Sequence, residues 1–123
     1  MSTIKVTNIQ DTSGGNSSTS EEVFQGRAKA WVHFNGGGTL EVMDSFNVTS
    51  VTDGGTGHYT INFTNNMSNA NYAVTLGSQQ VGNNSYAAYD RVQEITTSTI
   101  LIRTVHSSSF QDLSIVCAAV FGD

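Results

Sequence analysis

The side chains best suited to bind a metal ion in this sequence are its three histidines, His33, His58 and His106. Two imidazoles share one face of a β-strand when they lie two residues apart, and no two of these have that spacing. Symmetry-related copies of one histidine could also meet a metal ion on an oligomer axis. Histidines scattered over the surface are the simpler interpretation, and we predict no metal site and no cofactor.

The sequence lacks the motifs of nucleophilic and phosphate chemistry. It has no G-x-S-x-G motif, and the glycines at 36–38 and 54–55 are not followed by Gly-Lys-Ser/Thr. Hairpin turns explain these glycines, because tight turns need positive φ. Glu41 and Asp44 resemble the carboxylate pair of a glycosidase, but at a spacing of three on a strand we expect them to face opposite sides. We predict that the protein is not an enzyme, with a carbohydrate-active enzyme as the alternative.

Two polar stretches carry isolated aromatic residues, which is a combination suited to sugars. The stretches are Ser78–Tyr89 and Ser107–Gln111. Hydroxyl and amide groups hydrogen-bond sugar hydroxyls, and aromatic rings stack on sugar faces. Plain solvated loops are the alternative. The residues predicted to contact a ligand are Asn83, Asn84, Tyr86, Tyr89 and Phe110.

Trp31 is the only tryptophan of the chain. It lies on the strand face opposite Ala30 and Val32, so it points away from the residues that would face a core. An exposed tryptophan can stack on sugar, but tryptophan is also enriched at the centre of protein interfaces. We predict an interface or core role for Trp31.

Composition and charge argue against several kinds of partner. The chain has 123 residues, five Lys and Arg against ten Asp and Glu, and a net charge of −5. Because the basic residues are scattered along the sequence, we predict no binding to nucleic acid or to an anionic membrane surface. No apolar run approaches the roughly 20 residues of a membrane span, and no signal peptide is visible. The single cysteine, Cys117, excludes an internal disulfide and is predicted to be a buried, inert thiol.

Alternation of apolar and polar residues predicts β-strands through most of the chain. Between positions 57 and 64 the apolar residues Tyr59, Ile61 and Phe63 alternate with polar ones. Strands are also predicted at about 28–35, 40–51, 71–77, 85–95, 99–105 and 113–121, with turn residues between them. We therefore predict an all-β fold, an antiparallel, jelly-roll-like β-sandwich over residues 25–123. Residues 1–24 are predicted to be an N-terminal strand or arm followed by a flexible polar linker or exposed loop.

Three ordered runs carry a family resemblance: AKAWVHFNG from Ala28, DSFNVTSVTDGGTGHYTINFT from Asp44, and MSNANYAV from Met67. They resemble a module of the tail fibres and related virion fibres of tailed bacteriophages, especially phages of aquatic bacteria. The sequence departs from the family at His33, at His58 and in the three glycines at 36–38, and the part after Ser78 does not match it. The resemblance covers roughly the middle half of the chain.

The resemblance implies a noncatalytic, homotrimeric domain of a virion tail or neck fibre, made in the host cytoplasm. Its implied partners are a host cell-surface glycan or protein, other virion tail proteins and two further copies of itself. The five polar-loop residues would then contact the receptor. A structural spacer or collar domain without receptor contact is the alternative.

The last predicted strand, Leu113–Phe121, is apolar on both faces. A strand with one wet face should alternate, so this strand must be covered twice. Its larger residues suit the domain's own core, and the smaller set, Val116, Ala118 and Val120, suits a trimer interface together with Trp31. A strand enclosed within one subunit is the alternative.

Overall fold

A computed structural model of the protein describes residues 1–80 and 88–122. Eight longer strands form two antiparallel sheets, and most of their inner-face residues are apolar. The strands are β3 (Ala30–Asn35), β4 (Glu41–Phe46), β5 (Val48–Asp53), β6 (His58–Phe63), β7 (Ala73–Gln79), β8 (Ala88–Ile95), β9 (Thr99–His106) and β11 (Ile115–Phe121). A short strand, β10 (Ser109–Phe110), pairs with β9.

Sheet I has the strand order β4-β3-β11-β7, and sheet II has β5-β6-β9-β8, with β10 beside the end of β9. Their inner faces form one apolar core, in which the Phe34 and Tyr59 rings meet edge to face with centroids 5.0 Å apart. The predicted all-β antiparallel sandwich is confirmed. The last strand, β11, lies between β3 and β7, so the end of the chain completes sheet I.

The strand predicted over 40–51 is in fact two strands in different sheets. The chain leaves sheet I at Asn47, which has a φ of 55°, and enters sheet II at Val48. Asn47 Nδ2 donates to the carbonyl oxygens of Lys29 and Asn65, both at 3.1 Å, and its Oδ1 accepts from Asn65 N–H at 2.8 Å. Asparagine tolerates this left-handed conformation better than most residues, so one side chain fixes the corner between the sheets.

The polar N-terminal segment is more ordered than the sequence predicted. Strand β1 (Asn8–Gln10) pairs with β2 (Ser17–Thr19), and a helix α1 (Ser20–Gly26) follows. Thr19 and Glu22 form a capping box, in which each side chain bonds the other's backbone N–H. The helix buries no residue, and the position predicted to end the linker, 24, lies within it.

The structure corrects the predicted faces of β11. Val116, Ala118 and Val120 are 0, 5 and 2 % exposed and belong to the core, so they cannot form a trimer interface. The register between β11 and β3 sets this orientation. Val116 pairs with Phe34 and Ala118 pairs with Val32, and the side chains of Phe34 and Val32 point inward. The outward face of β11 consists of Ile115, Cys117, Ala119 and Phe121.

Among the described residues, no helix has the length and hydropathy that crossing a membrane would require.

Candidate ligand-binding face

Two of the predicted ligand-contacting residues, Tyr89 and Phe110, lie in one row on the outer face of sheet II. Tyr89 pairs with Val105 from one side, and Phe110 pairs with Val105 from the other. Paired residues of antiparallel strands share a face, so the three side chains form a row, with the outer backbones about 10 Å apart. Tyr89 is 43 % and Phe110 47 % exposed, whereas Val105 between them is only 3 % exposed. The row therefore presents two aromatic rings to solvent on a buried aliphatic base.

Phe110 is held in this row by a tight hairpin between β9 and β10. Ser107 and Ser108 connect the paired residues His106 and Ser109 with φ values of 51° and 69°. Two positive φ values are characteristic of the type I′ turn, which normally uses Asn-Gly or Gly-Gly. The Phe110 ring also packs edge-on against His58, with ring centroids 4.8 Å apart.

Behind the hairpin, β6, β9 and the segment after β10 converge at Gly57. Gly57 N–H donates to Asp112 Oδ1 at 2.7 Å, and the Tyr59 hydroxyl donates to the same oxygen at 2.7 Å. Burial, followed by the hydrogen bond to Asp112, raises the pKa of the Tyr59 phenol well above its ordinary value. Because Tyr59 stays protonated, it acts here as a fixed donor that anchors the chain leaving Phe110.

Two arginines that sequence reasoning treated as scattered lie beside the aromatic row. Arg91 on β8 pairs directly with Arg103 on β9. Arg91 Cζ lies 5.7 Å from the centroid of the Tyr89 ring, and Arg103 Cζ lies 5.8 Å from that of Phe110. The signal was present in the alternation, since Tyr89 and Arg91 share a strand face, but the pairing depends on hairpin register. Together, Tyr89, Arg91, Arg103, Val105 and Phe110 make the Tyr89–Phe110 face.

The three other predicted contact residues, Asn83, Asn84 and Tyr86, lie outside the described residues. The segment that contains them precedes β8, the strand that carries Tyr89 and Arg91.

Next to this face, a polar cleft separates the edge strands β7 and β8. Ser78 Oγ donates to Asp90 Oδ1 at 2.7 Å across the cleft. Burial raises the pKa of the Asp90 carboxyl, and the hydrogen bond from Ser78 partly opposes the shift. The contact joins the two sheets at this edge.

Trp31 lies on the outer face of sheet I, as the alternation predicted. It pairs with Phe46 on β4 and with Ala119 on β11, and Ala119 pairs in turn with Thr75 on β7. Trp31 is partly buried, and Phe46 is 54 % exposed. This largely apolar row across the whole sheet is unusual for an outer face.

The neighbouring row brings together residue types that occur in nucleophilic sites. Cys117 pairs with His33, and His33 pairs with Asp44. The prediction of a buried thiol is wrong, since Cys117 is exposed on the outward face of β11. Partial burial nonetheless raises the pKa of the Cys117 thiol, which disfavours the thiolate that a nucleophile needs.

A bulge in β4 overturns one further expectation. The register between β3 and β4 shifts after His33, so that Asp44 pairs with His33 and Glu41 with Asn35. His33 and Asn35 share a face, which places both carboxylates on the outer face of sheet I rather than on opposite sides. The three histidines lie apart, on β3, β6 and β9, and the described residues contain no metal-binding group of three or more His, Cys, Asp or Glu.

Comparisons of the chain with protein-family models, with curated proteins and with solved structures found no match.

Proposed function

We propose that this domain is a noncatalytic module of a bacteriophage tail fibre or related virion fibre, and that it attaches the virion to a host cell-surface glycan or protein. The observation that carries the proposal is the row formed by Tyr89 and Phe110. These residues are 21 positions apart in the sequence, were predicted independently to contact a ligand, and lie together, exposed, on one sheet face. Exposed aromatic rings on a rigid sheet bind sugars at little cost in conformational entropy.

We further propose that the domain is a homotrimer that associates through the outer face of sheet I. The support is the apolar row of Phe46, Trp31 and Ala119, together with the outward residues of β11. In a subunit alone this face leaves Phe46 more than half exposed. Such a fibre would reside in the virion and contact other tail proteins.

The attachment proposal is tested by binding of the full chain to an array of bacterial surface glycans and to intact bacteria. The double variant Tyr89→Ala/Phe110→Ala should lose at least about tenfold in affinity, since each stacked ring contributes about 1 kcal/mol or more. Phe24→Ala is the matched control, because Phe24 is also exposed but lies on α1. If neither surface binds the wild type, the domain is a spacer or collar rather than an attachment module. If all three proteins bind equally, the Tyr89–Phe110 row is not the attachment site.

The enzymatic alternative has its own test. Glu41 and Asp44 share a face, so the chain is incubated with the polysaccharide of any surface that it binds, and new reducing ends are measured. If the wild type releases reducing ends and the Glu41→Gln variant does not, the protein is a carbohydrate-active fibre enzyme and the noncatalytic proposal is wrong.

The trimer proposal is tested by analytical ultracentrifugation with a matched pair of substitutions on β11. Ala119→Glu adds a charge to the outer face and should give folded monomers. Val116→Lys buries a charge in the core and should abolish folding. Cys117 provides a second measurement, since a thiol reagent should label it in the Ala119→Glu monomer and not in the trimer. A wild-type chain that sediments only as a monomer would refute the proposal.

A further inference from the structure

The Tyr89–Phe110 face carries a concentration of positive charge that the fold does not require. Arg91 and Arg103 are directly opposite each other on adjacent strands, with Cβ atoms about 5 Å apart. Like charges in that position destabilise a sheet. Two of the five Lys and Arg residues of a chain with net charge −5 are nevertheless placed there.

Neither arginine is neutralised by the part of the chain that the structure describes. Arg103 Nε donates to Gln93 Oε1, an uncharged group. Arg91 and Arg103 form no ion pair with any acidic side chain within residues 1–80 and 88–122. The nearest acid along this sheet face is Glu94, which pairs with Leu101 in the next row. As far as the described residues go, the two guanidinium groups are therefore available for an external anion.

The surroundings favour a sugar polymer as the carrier of that anion. Each guanidinium lies beside an exposed aromatic ring, so a carboxylate can be bound next to a stacked sugar face. Away from the arginines and Glu94, the outer face of sheet II is rich in hydroxyl and amide groups. These groups belong to Ser50, Thr52, Thr60 and Asn62.

We propose that the Tyr89–Phe110 face binds an acidic polysaccharide, with Arg91 and Arg103 contacting its carboxylates and the two rings stacking on its sugars. This inference rests on the proposed attachment function and specifies the chemical class of its ligand. A nucleic acid would need more of the basic residues on one face than two, and the net charge of −5 opposes a polyphosphate.

The test measures binding of the full chain to polygalacturonate, to neutral dextran and to single-stranded DNA. The wild type should bind polygalacturonate, should bind it more weakly as salt rises, and should prefer it to both other polymers. Arg91→Gln/Arg103→Gln should weaken that binding by at least about tenfold, because each charge-assisted contact contributes more than a neutral one. Glu94→Gln should strengthen it. Lys5→Gln removes the same kind of charge from the exposed N-terminal segment and should have no effect.

Two outcomes separate this inference from the attachment proposal. If Tyr89→Ala/Phe110→Ala abolishes binding to bacteria while Arg91→Gln/Arg103→Gln does not, the face binds a neutral ligand and the acidic class is wrong. Three other results would also overturn the acidic-polysaccharide inference. They are no binding of the wild type to polygalacturonate, equal effects of the Arg91/Arg103 and Lys5 substitutions, and a preference for DNA. Thermal unfolding of every variant establishes that the loss is local.

Discussion

Replacing Gly57 with alanine is expected to destabilise the fold and to move Phe110 away from the Tyr89–Phe110 face. Gly57 has a φ of +65°, and a Cβ at this position would lie 2.6 Å from the Thr104 carbonyl oxygen and 2.8 Å from the Gln111 amide nitrogen. Real Cβ atoms essentially never approach other atoms below 3.0 Å, and here the obstructing atoms are backbone. The segment that follows Phe110 must therefore separate from β9 or from β6.

The size of the effect follows from the contacts that would be lost. Positive φ costs an alanine about 1 kcal/mol. The hydrogen bond from Gly57 N–H to the Asp112 carboxylate contributes about 2 kcal/mol, and that from Thr104 N–H to the Gly57 carbonyl contributes about 1 kcal/mol. The sum, about 4 kcal/mol, is a large share of the roughly 5–15 kcal/mol by which such domains are stable. The midpoint of thermal unfolding should fall by the order of 10–15 °C.

Two other glycines separate the steric effect from the conformational one. Gly38 has a φ of +78° with no atom within 4 Å of its virtual Cβ, so Gly38→Ala should lose only the conformational part. Gly26 has neither a positive φ nor a close neighbour, so Gly26→Ala should not destabilise the fold. Urea denaturation followed by circular dichroism compares the three, and NMR shifts of the His58 ring report whether Phe110 still packs on it. Equal destabilisation by Gly57→Ala and Gly38→Ala would refute the reasoning.

Three further predictions concern the elements around the two sheets. Asn47→Ala should lower the free energy of unfolding by about 2–3 kcal/mol, because the hydrogen bonds of the Asn47 side chain are lost. Asn47→Gly should lower the free energy of unfolding by less, because glycine also adopts the left-handed backbone conformation. A urea denaturation series that shows no loss of stability for either variant would contradict the corner role. Ser107→Asn/Ser108→Gly should raise stability by about 1 kcal/mol, because these residues suit a type I′ turn, and an unchanged melting temperature would argue against strain there. The raised pKa of Asp90 means that the folded state binds the proton more tightly than the unfolded state. The contribution of Asp90 to stability is therefore fully present below its unfolded-state pKa near 3.8. It is lost as the pH rises through the higher pKa of the folded state. Asp90→Asn should consequently gain stability over the wild type as pH rises from about 3 to about 7, whereas a constant difference across that range would contradict the assignment.

Sequence alternation predicted the strands best where one face is polar. In β6 the buried residues Tyr59, Ile61 and Phe63 are the ones that the pattern assigned to the core. There the two faces differ in polarity, so the hydrophobic effect leaves one orientation. The polar partners His58, Thr60 and Asn62 lie outward, on the face that carries the candidate site.

Alternation could not orient β11, because both of its faces are apolar. Residue size suggested that Ile115 and Phe121 face the core, but they lie outward. The orientation is set by pairing with β3 and β7, where Ala118 lies between Val32 and Leu76. That register depends on residues 36 to 48 positions away in β7, which no local pattern contains.

The pairing of Arg91 with Arg103 was hidden for a related reason. The two strands are joined by a short turn near Ser98, so a regular hairpin would have allowed the pairing to be counted from the sequence. A register shift between Val92 and Glu94 adds one residue to β8 and changes which residues face each other. The helix α1, in contrast, had a readable signal, since Thr19 and Glu22 have the spacing of a capping box within an otherwise Ser- and Thr-rich segment.

The outer faces of the two sheets differ in a way that suits two roles. Sheet I presents an apolar row centred on Trp31 and Ala119, and sheet II presents paired arginines, exposed rings and neutral polar groups. Because the sheets lie back to back, subunits that associate through sheet I would direct sheet II away from the symmetry axis. A trimer would then present three Tyr89–Phe110 faces to the same repetitive polysaccharide. Binding of one face would raise the effective concentration of the polymer at the next face. Shallow, exposed sites of this kind bind weakly one at a time. Relative to the trimer, the Ala119→Glu monomer should therefore lose much of its affinity for polygalacturonate. Its affinity for a short oligogalacturonate, which only one face can bind, should change far less.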